Sequence, residues 1–184
     1  MTSMICVYCG SRSGQSPAYE QAAADVGSAL ARHGLGLVYG GGNVGLMGVL
    51  ADAVLAGGGR VVGVIPERLE RRDVAHRGLH ELIVVEDMHQ RKAAMAARAA
   101  AFVALPGGFG TLEELFEAVA WSQLGYHDKP VAVLNALGYY DHLLAFLDHA
   151  TDQHFLHAHH RPLVRVAHQV GELMEDLLGA LGQD

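Results

Sequence analysis

The sequence predicts an α/β fold of the Rossmann-like kind, an open, mostly parallel sheet of about seven strands with helices on both faces. Three observations carry that expectation. Short apolar runs alternate with segments of helical periodicity along nearly the whole chain. The runs are apolar almost throughout, as strands covered on both faces are. Glycine clusters follow several of them, at the strand ends where such sheets hold ligands.

In chain order, strands are expected at Ile5–Tyr8, Leu35–Tyr39, Val61–Ile65, Leu82–Val85, Ala101–Leu105, Val131–Leu134 and Leu163–Val166. Ser16-Pro17 marks a helix start after the first strand, because Ser caps well and Pro suits the first helical position. Asp87 is expected to cap an alanine-rich helix from Met88 to Ala100, and Tyr139 to Ala150 has an amphipathic pattern. No repeat, low-complexity tract or linker divides residues 1–184, so one domain is expected.

The chain is organised around Pro106-Gly107-Gly108-Phe109-Gly110-Thr111-Leu112-Glu113-Glu114, which reads as a glycine turn between strand and helix. Gly107, Gly108 and Gly110 let backbone N–H groups approach a ligand with no Cβ in the way. The helix start beyond Phe109 offers unpaired N–H groups and a positive dipole end, which suits a phosphate. Thr111 and Glu114 also fit the capping box T-x-x-E, in which each would satisfy a backbone N–H. A carboxylate placed there would in addition be kept ionised by the dipole.

Other segments converge on the same sheet edge. Gly40-Gly41-Gly42 ends the second strand and again permits close backbone approach to a phosphate or sugar. Ser11 and Arg12 follow the first strand where a substrate would be held, although Arg12 reads equally well as a solvated loop residue. Pro66 to Gly78 is charged and irregular, either a mobile solvated loop or a lid with Asp73 accepting from a sugar hydroxyl. Arg91 and Lys92 put two cations in a first helical turn, against the dipole, so an anion is expected beside them. A salt bridge or a phosphorylated ligand would serve, and Arg supplies the fork that matches phosphate or carboxylate.

The totals exclude several function classes. A net charge of −7 with only two lysines argues against a surface that tracks nucleic-acid phosphates. No uncharged apolar run would span a bilayer and no secretory leader is visible, so a cytoplasmic, soluble protein is expected. Cys6 and Cys9 lie three apart on a strand, hence on opposite faces, and read as buried small hydrophobes. His154, His157, His159 and His160 lack an accompanying carboxylate or cysteine frame, so no metal site is expected.

The central motif, together with Met88-His89-Gln90-Arg91-Lys92, resembles the PGGxGTxxE and MHxRK motifs of the LONELY GUY (LOG) family, phosphoribohydrolases often mislabelled lysine decarboxylases. The likeness extends through Val7-Tyr8-Cys9-Gly10-Ser11, Tyr39-Gly40-Gly41-Gly42 and Trp121-Ser122-Gln123-Leu124-Gly125-Tyr126-His127. It implies a homodimer or an assembly of dimers with the site near the subunit interface, and no metal or organic cofactor. It implies hydrolysis of a nucleoside 5′-monophosphate, N6-modified or not, to free base and ribose 5-phosphate. By the same resemblance Arg91 and Glu114 match the catalytic pair, and Lys92, Gly108 to Thr111 and Asp73 match nucleotide-binding positions. Ala120 departs from the Thr that relatives often carry before the Trp.

The residues suit that chemistry, because breaking a ribosyl C–N bond builds positive charge that a fixed carboxylate stabilises. Asp73 or Glu113 would be a second carboxylate if one is needed. Two rival readings remain at this point. A pyridoxal-phosphate decarboxylase needs a lysine for its aldimine, and only Lys92 and Lys129 are available. A non-catalytic carrier or sensor would bind a nucleotide on the same fold without base release.

Overall fold

The computed structural model describes residues 2–70 and 74–182. Seven strands, β1 (Met4–Tyr8), β2 (Gly36–Tyr39), β3 (Val61–Pro66), β4 (Glu81–Val85), β5 (Ala101–Ala104), β6 (Val131–Leu134) and β7 (Arg165–Ala167), form one sheet. Its order is β4-β3-β2-β1-β5-β6-β7 and every pairing is parallel, so the sheet is wholly rather than mostly parallel. The chain winds outward from β1 in one direction and from β5 in the other. The crevice between those two strands is therefore the place where a ligand is held in such folds.

The helices are α1 (Pro17–Arg32), α2 (Gly45–Ala56), α3 (Glu67–Glu70), α4 (Met88–Arg98), α5 (Phe109–Gln123), α6 (Asp141–Asp152) and α7 (Val170–Leu181). Two apolar layers follow from the period-2 alternation of the strands. Ile5 and Val7 of β1 pack with residues of α1, α2 and α7, such as Leu30, Leu50 and Leu173. Cys6 and Tyr8 face the other layer, with Met95 of α4 and Leu115 of α5. Cys9 joins the first layer, so the two free thiols are buried on opposite faces, as their spacing predicts.

Most local signals act as expected. Ser16 accepts from the Ala18 N–H with Pro17 at the helix start, and Asp87 accepts from the Gln90 N–H at 2.8 Å. The seventh strand differs: it begins at Arg165, after a 3₁₀ segment, Ala158–Leu163, that contains Pro162. Proline gives up the N–H that a ladder requires, which delays the strand. The amphipathic helix starts at Asp141, because Leu137 (φ 53°) and Gly138 (φ 70°) turn the chain sharply first.

The charged loop expected after β3 is not free where it is described. The Asn43 N–H donates to the Val74 carbonyl at 2.8 Å, and the His76 N–H to the Gly41 carbonyl at 2.9 Å. Residues 74–76 are thus hydrogen-bonded to the second glycine loop. Asp73 lies outside the described residues. Among those described, no helix is long and apolar enough to cross a membrane.

Candidate active site

Three loops meet at the carboxyl edge of β1, β2 and β5. The Gly10 N–H donates to the Pro106 carbonyl at 3.0 Å, and the Leu46 N–H donates to the Gly10 carbonyl at 3.1 Å. The loop after β1 is therefore held between the other two. Over it lies a cavity of about 550 Å³, lined by the loop after β1, Tyr19, Leu46, Pro106 to Phe109, and Tyr139. Ser11, Gly107, Gly108 and Phe109 reach it as the sequence suggests, whereas Gly41 and Gly42 do not line it. Among the described residues Arg12 is the one charged residue of its wall.

The cavity floor is the start of α5, and it is built differently from the capping box. Gly108 is the N-cap residue, in an extended conformation with no side-chain cap, so Thr111 is the third residue of the helix and Glu114 the sixth. The helix begins earlier because nothing in Gly108-Phe109-Gly110 obstructs the first turn. Thr111 and Glu114 are then buried on one helix face, about 4.5 Å apart along the axis at 1.5 Å per residue. A Cβ on Gly107 would run into the Thr111 hydroxyl, so only glycine allows this close approach. The N–H groups of the first turn stay available for an acceptor.

Glu114 meets Arg91 across the α4–α5 contact, with Nη1 donating to Oε1 at 3.1 Å. The two side chains are 8 % and 11 % exposed, so this is a buried pair. The guanidinium is fixed further by donating from Nε to the Val64 carbonyl at 3.1 Å and from Nη2 to the Gly40 carbonyl at 3.3 Å. A Cβ on Gly40 would occupy the place of that Nη2, which explains the glycine at the end of β2. Neither Arg91 nor Glu114 lines the 550 Å³ cavity; they sit behind its glycine-loop wall.

Burial pushes the Glu114 carboxyl up to about 7, with Arg91 offsetting part of the effect and the neighbouring Glu113 adding to it. That corrects the expectation of a carboxylate kept ionised by the helix dipole. Desolvation in a buried seat outweighs a dipole screened at the helix end.

Lys92 is also buried, and its ammonium donates to Glu113 and, at 2.7 Å, to Glu117. The anion beside the second cation is therefore supplied by α5. Lys129 donates to the Ala96 carbonyl at 2.8 Å and lies 5.9 Å from the centre of the Phe102 ring. Neither lysine lines the cavity and both ammonium groups are engaged, so the residues present do not fit a pyridoxal-phosphate aldimine. In the histidine cluster the His157 and His159 rings stack, while His160 meets His157 edge-on and His159 at a tilt. Among the described residues no group of three or more His, Cys, Asp or Glu is placed to hold a metal ion.

Sequence reasoning missed the support beneath the glycine loop. The Tyr139 hydroxyl donates to the Gly107 carbonyl at 2.5 Å and so ties the glycine loop to the segment after β6. Asn135, buried at the end of β6, donates to Asp141 and accepts from the Tyr140 N–H, each at 2.7 Å. The Tyr140 hydroxyl then donates to the Leu105 carbonyl at 2.7 Å. A buried asparagine just past a strand was the one visible signal.

Comparisons with known proteins bear on the family and the fold. A family profile described as "possible lysine decarboxylase" matches residues 47–177. The cytokinin riboside 5′-monophosphate phosphoribohydrolase LOG7 of Arabidopsis thaliana is 50 % identical over 173 residues, 94 % of this chain and 80 % of that protein. The probable cytokinin riboside 5′-monophosphate phosphoribohydrolase LOGL6 of Oryza sativa subsp. japonica is also 50 % identical, over 94 % of this chain and 69 % of its own length. Among solved structures, the molybdenum cofactor carrier protein of Chlamydomonas reinhardtii superposes with a TM-score of 0.74 at 24 % identity, over 99 % of both chains. That likeness concerns the fold alone. With half its residues shared over nearly its whole length and the motifs folded into one buried pair beneath one glycine loop, the chain belongs to the LONELY GUY (LOG) family of cytokinin riboside 5′-monophosphate phosphoribohydrolases.

Proposed function

We propose that the chain, acting as one hydrolase domain, cleaves the N-glycosidic bond of adenosine 5′-monophosphates, N6-modified or not, and releases free base and ribose 5-phosphate. The observation that carries this reading is the buried Arg91–Glu114 pair set one helical turn below the glycine loop. The 5′-phosphate is taken by the first-turn N–H groups of α5, at Gly108, Phe109, Gly110 and Thr111, with Ser11 and Arg12 facing them from the loop after β1. Gly41, Gly42 and Asp73 complete the nucleotide-binding set, the first two through the loop that closes on Val74 and His76.

Glu114 then stands near the anomeric carbon. Its carboxylate stabilises the cationic sugar and takes a proton from the attacking water. Water oxygen bonds to C1′ as the C–N bond breaks, and the electron pair leaves with the base nitrogen. The proton held on Glu114 returns to the departing base, so no net charge accumulates. A carboxyl pushed to about 7 suits both halves of that transfer near neutral pH. Arg91 orients Glu114, with its guanidinium also held by the Val64 and Gly40 carbonyls and, at 3.9 Å, by the Met88 sulfur.

The same reading puts the enzyme in the cytoplasm, without metal or cofactor, as a homodimer or an assembly of dimers with the site near the interface. Phe109, 94 % exposed on the cavity rim, supports a covering partner. The deciding experiment is chromatography of the free base released from AMP and from isopentenyladenosine monophosphate. Base release supports the hydrolase. Tight nucleotide binding without release would turn the reading to a carrier on the same fold.

A further inference from the structure

Four consecutive carbonyls lie between β5 and α5, and each has a donor. The Leu105 carbonyl accepts from the Tyr140 hydroxyl at 2.7 Å and the Pro106 carbonyl from the Gly10 N–H at 3.0 Å. The Gly107 carbonyl accepts from the Tyr139 hydroxyl at 2.5 Å, and the Gly108 carbonyl from the Leu112 N–H at 3.1 Å. The N–H groups are the reverse: among the described residues no backbone carbonyl accepts from Gly108, Phe109, Gly110 or Thr111. Acceptors answered and donors open is what an anion seat requires.

The least constrained unit of that stretch is the Gly107–Gly108 peptide, because neither flanking residue has a Cβ to limit its rotation. The peptide is trans, so its N–H points opposite to its carbonyl. A donor on the Gly107 carbonyl therefore also fixes the direction of the Gly108 N–H. The chain is bent to deliver that donor. Leu137, exposed and at φ 53°, and Gly138, at φ 70°, take left-handed backbone just before Tyr139. A leucine is held in that region only where its surroundings over-determine it. Asn135 supplies the constraint, donating to Asp141 and accepting from the Tyr140 N–H. The Tyr139 ring meets Tyr19 and Tyr140 edge-on, with ring centres 5.9 Å and 4.9 Å apart.

We infer that Tyr139 is a positioning residue for the 5′-phosphate: its hydroxyl locks the Gly107–Gly108 peptide so that the Gly108 N–H stays available to the anion. The inference rests on the hydrolase reading above, which seats the phosphate on those N–H groups. A flip of the unlocked peptide would exchange the positions of N–H and carbonyl oxygen, replacing an attraction for the anion by a repulsion. Tyr140 does not share the role. Its bond falls on the buried Leu105, two residues before the peptide in question.

The test compares the full wild-type chain with Y139F and Y140F, by base release from AMP and by calorimetric binding of ribose 5-phosphate and of adenosine. Y139F keeps the ring and both edge contacts, so the fold should be retained. Its KM for AMP and its Kd for ribose 5-phosphate should rise together by about five- to twentyfold, with kcat within about twofold of wild type. Adenosine, which has no phosphate, should bind wild type and Y139F alike. Y140F should melt at a lower temperature but keep its Kd for ribose 5-phosphate to within about twofold of wild type. An unchanged Kd for ribose 5-phosphate in Y139F would overturn the inference. So would adenosine weakened by the same factor, because the hydroxyl would then serve the pocket as a whole. An equal loss in Y140F would reduce the effect to a loosened loop, with the same result. Absence of base release from wild type would sink the hydrolase reading itself, whereas normal release with an unmoved Kd in Y139F sinks only the role of Tyr139.

Discussion

Arg91 Nη1 lies 3.1 Å from Glu114 Oε1, joining two helices whose facing residues are twenty-three positions apart in the chain. The carboxyl it holds is nonetheless raised to about 7, because burial costs the charged form more than one guanidinium returns. A pair balanced in that way has consequences that can be measured.

Glu114→Gln keeps the shape of the side chain and removes its charge and basicity. Turnover should fall by about 10² to 10⁴, the usual contribution of a positioned acid–base group, with the fold retained. Circular dichroism alongside base release checks both. Unchanged turnover would mean that the carboxylate has no part in the chemistry.

The same substitution should change how stability depends on pH. The Glu114 pKa is higher folded than unfolded, so between about 4.5 and 7 the folded state binds more protons, and its stability falls as pH rises through that window. In the Glu114→Gln variant that dependence disappears. Urea denaturation of both proteins across the window should show their stability difference changing by about 3 kcal/mol, and curves that stay parallel would contradict the raised carboxyl.

In activity the sign is opposite. The carboxylate is the working form, so kcat/KM should rise with pH through about 7 and level off above it. A profile that is flat from about pH 5 to about pH 9 would exclude Glu114 as the group that titrates.

Arg91→Lys leaves a cation but not the fork that reaches Val64, Gly40 and Glu114 together. Losing even one charge-assisted bond costs about 1.5–3 kcal/mol, so kcat should drop at least about tenfold. Wild-type kcat in this variant would refute the orienting role.

Arg12 is a charged residue on the cavity wall, and Arg12→Ser should raise KM for a nucleoside 5′-monophosphate about tenfold while sparing kcat. Any slow hydrolysis of the unphosphorylated nucleoside should be indifferent to the change. Equal KM values for both proteins would return Arg12 to the solvent.

Asn135→Ala leaves the buried Tyr140 N–H without its acceptor and should cost about 1–3 kcal/mol of stability. Because the Tyr139–Gly107 bond rests on the same corner, KM should rise as well. A stability loss with unaltered KM would separate this corner from the glycine loop.

What was legible in the sequence was whatever depends on neighbours along the chain. Apolar runs located all seven strands to within a few residues, Ser16 and Asp87 announced their helices, and glycines marked the loops that converge on one edge. These signals are local because backbone conformation is chosen over a few residues at a time. The Thr111–Glu114 spacing misled for the same reason: it matches a capping box, yet a helix start belongs to the residue that can leave the helix, and Gly108 does so three positions earlier.

Taken by itself, the sequence determined the doubly wound sheet and the glycine loops, and resemblance to a family singled out Arg91 and Glu114. Only the tertiary structure decided what each charge faces. Arg91 and Lys92 are adjacent in the chain, but a step of about 100° around α4 sends one to Glu114 and the other to Glu113 and Glu117. The packing of α4 against α5 also set the Glu114 carboxyl near 7, since desolvation depends on everything that excludes water and not on the residues beside it in the chain.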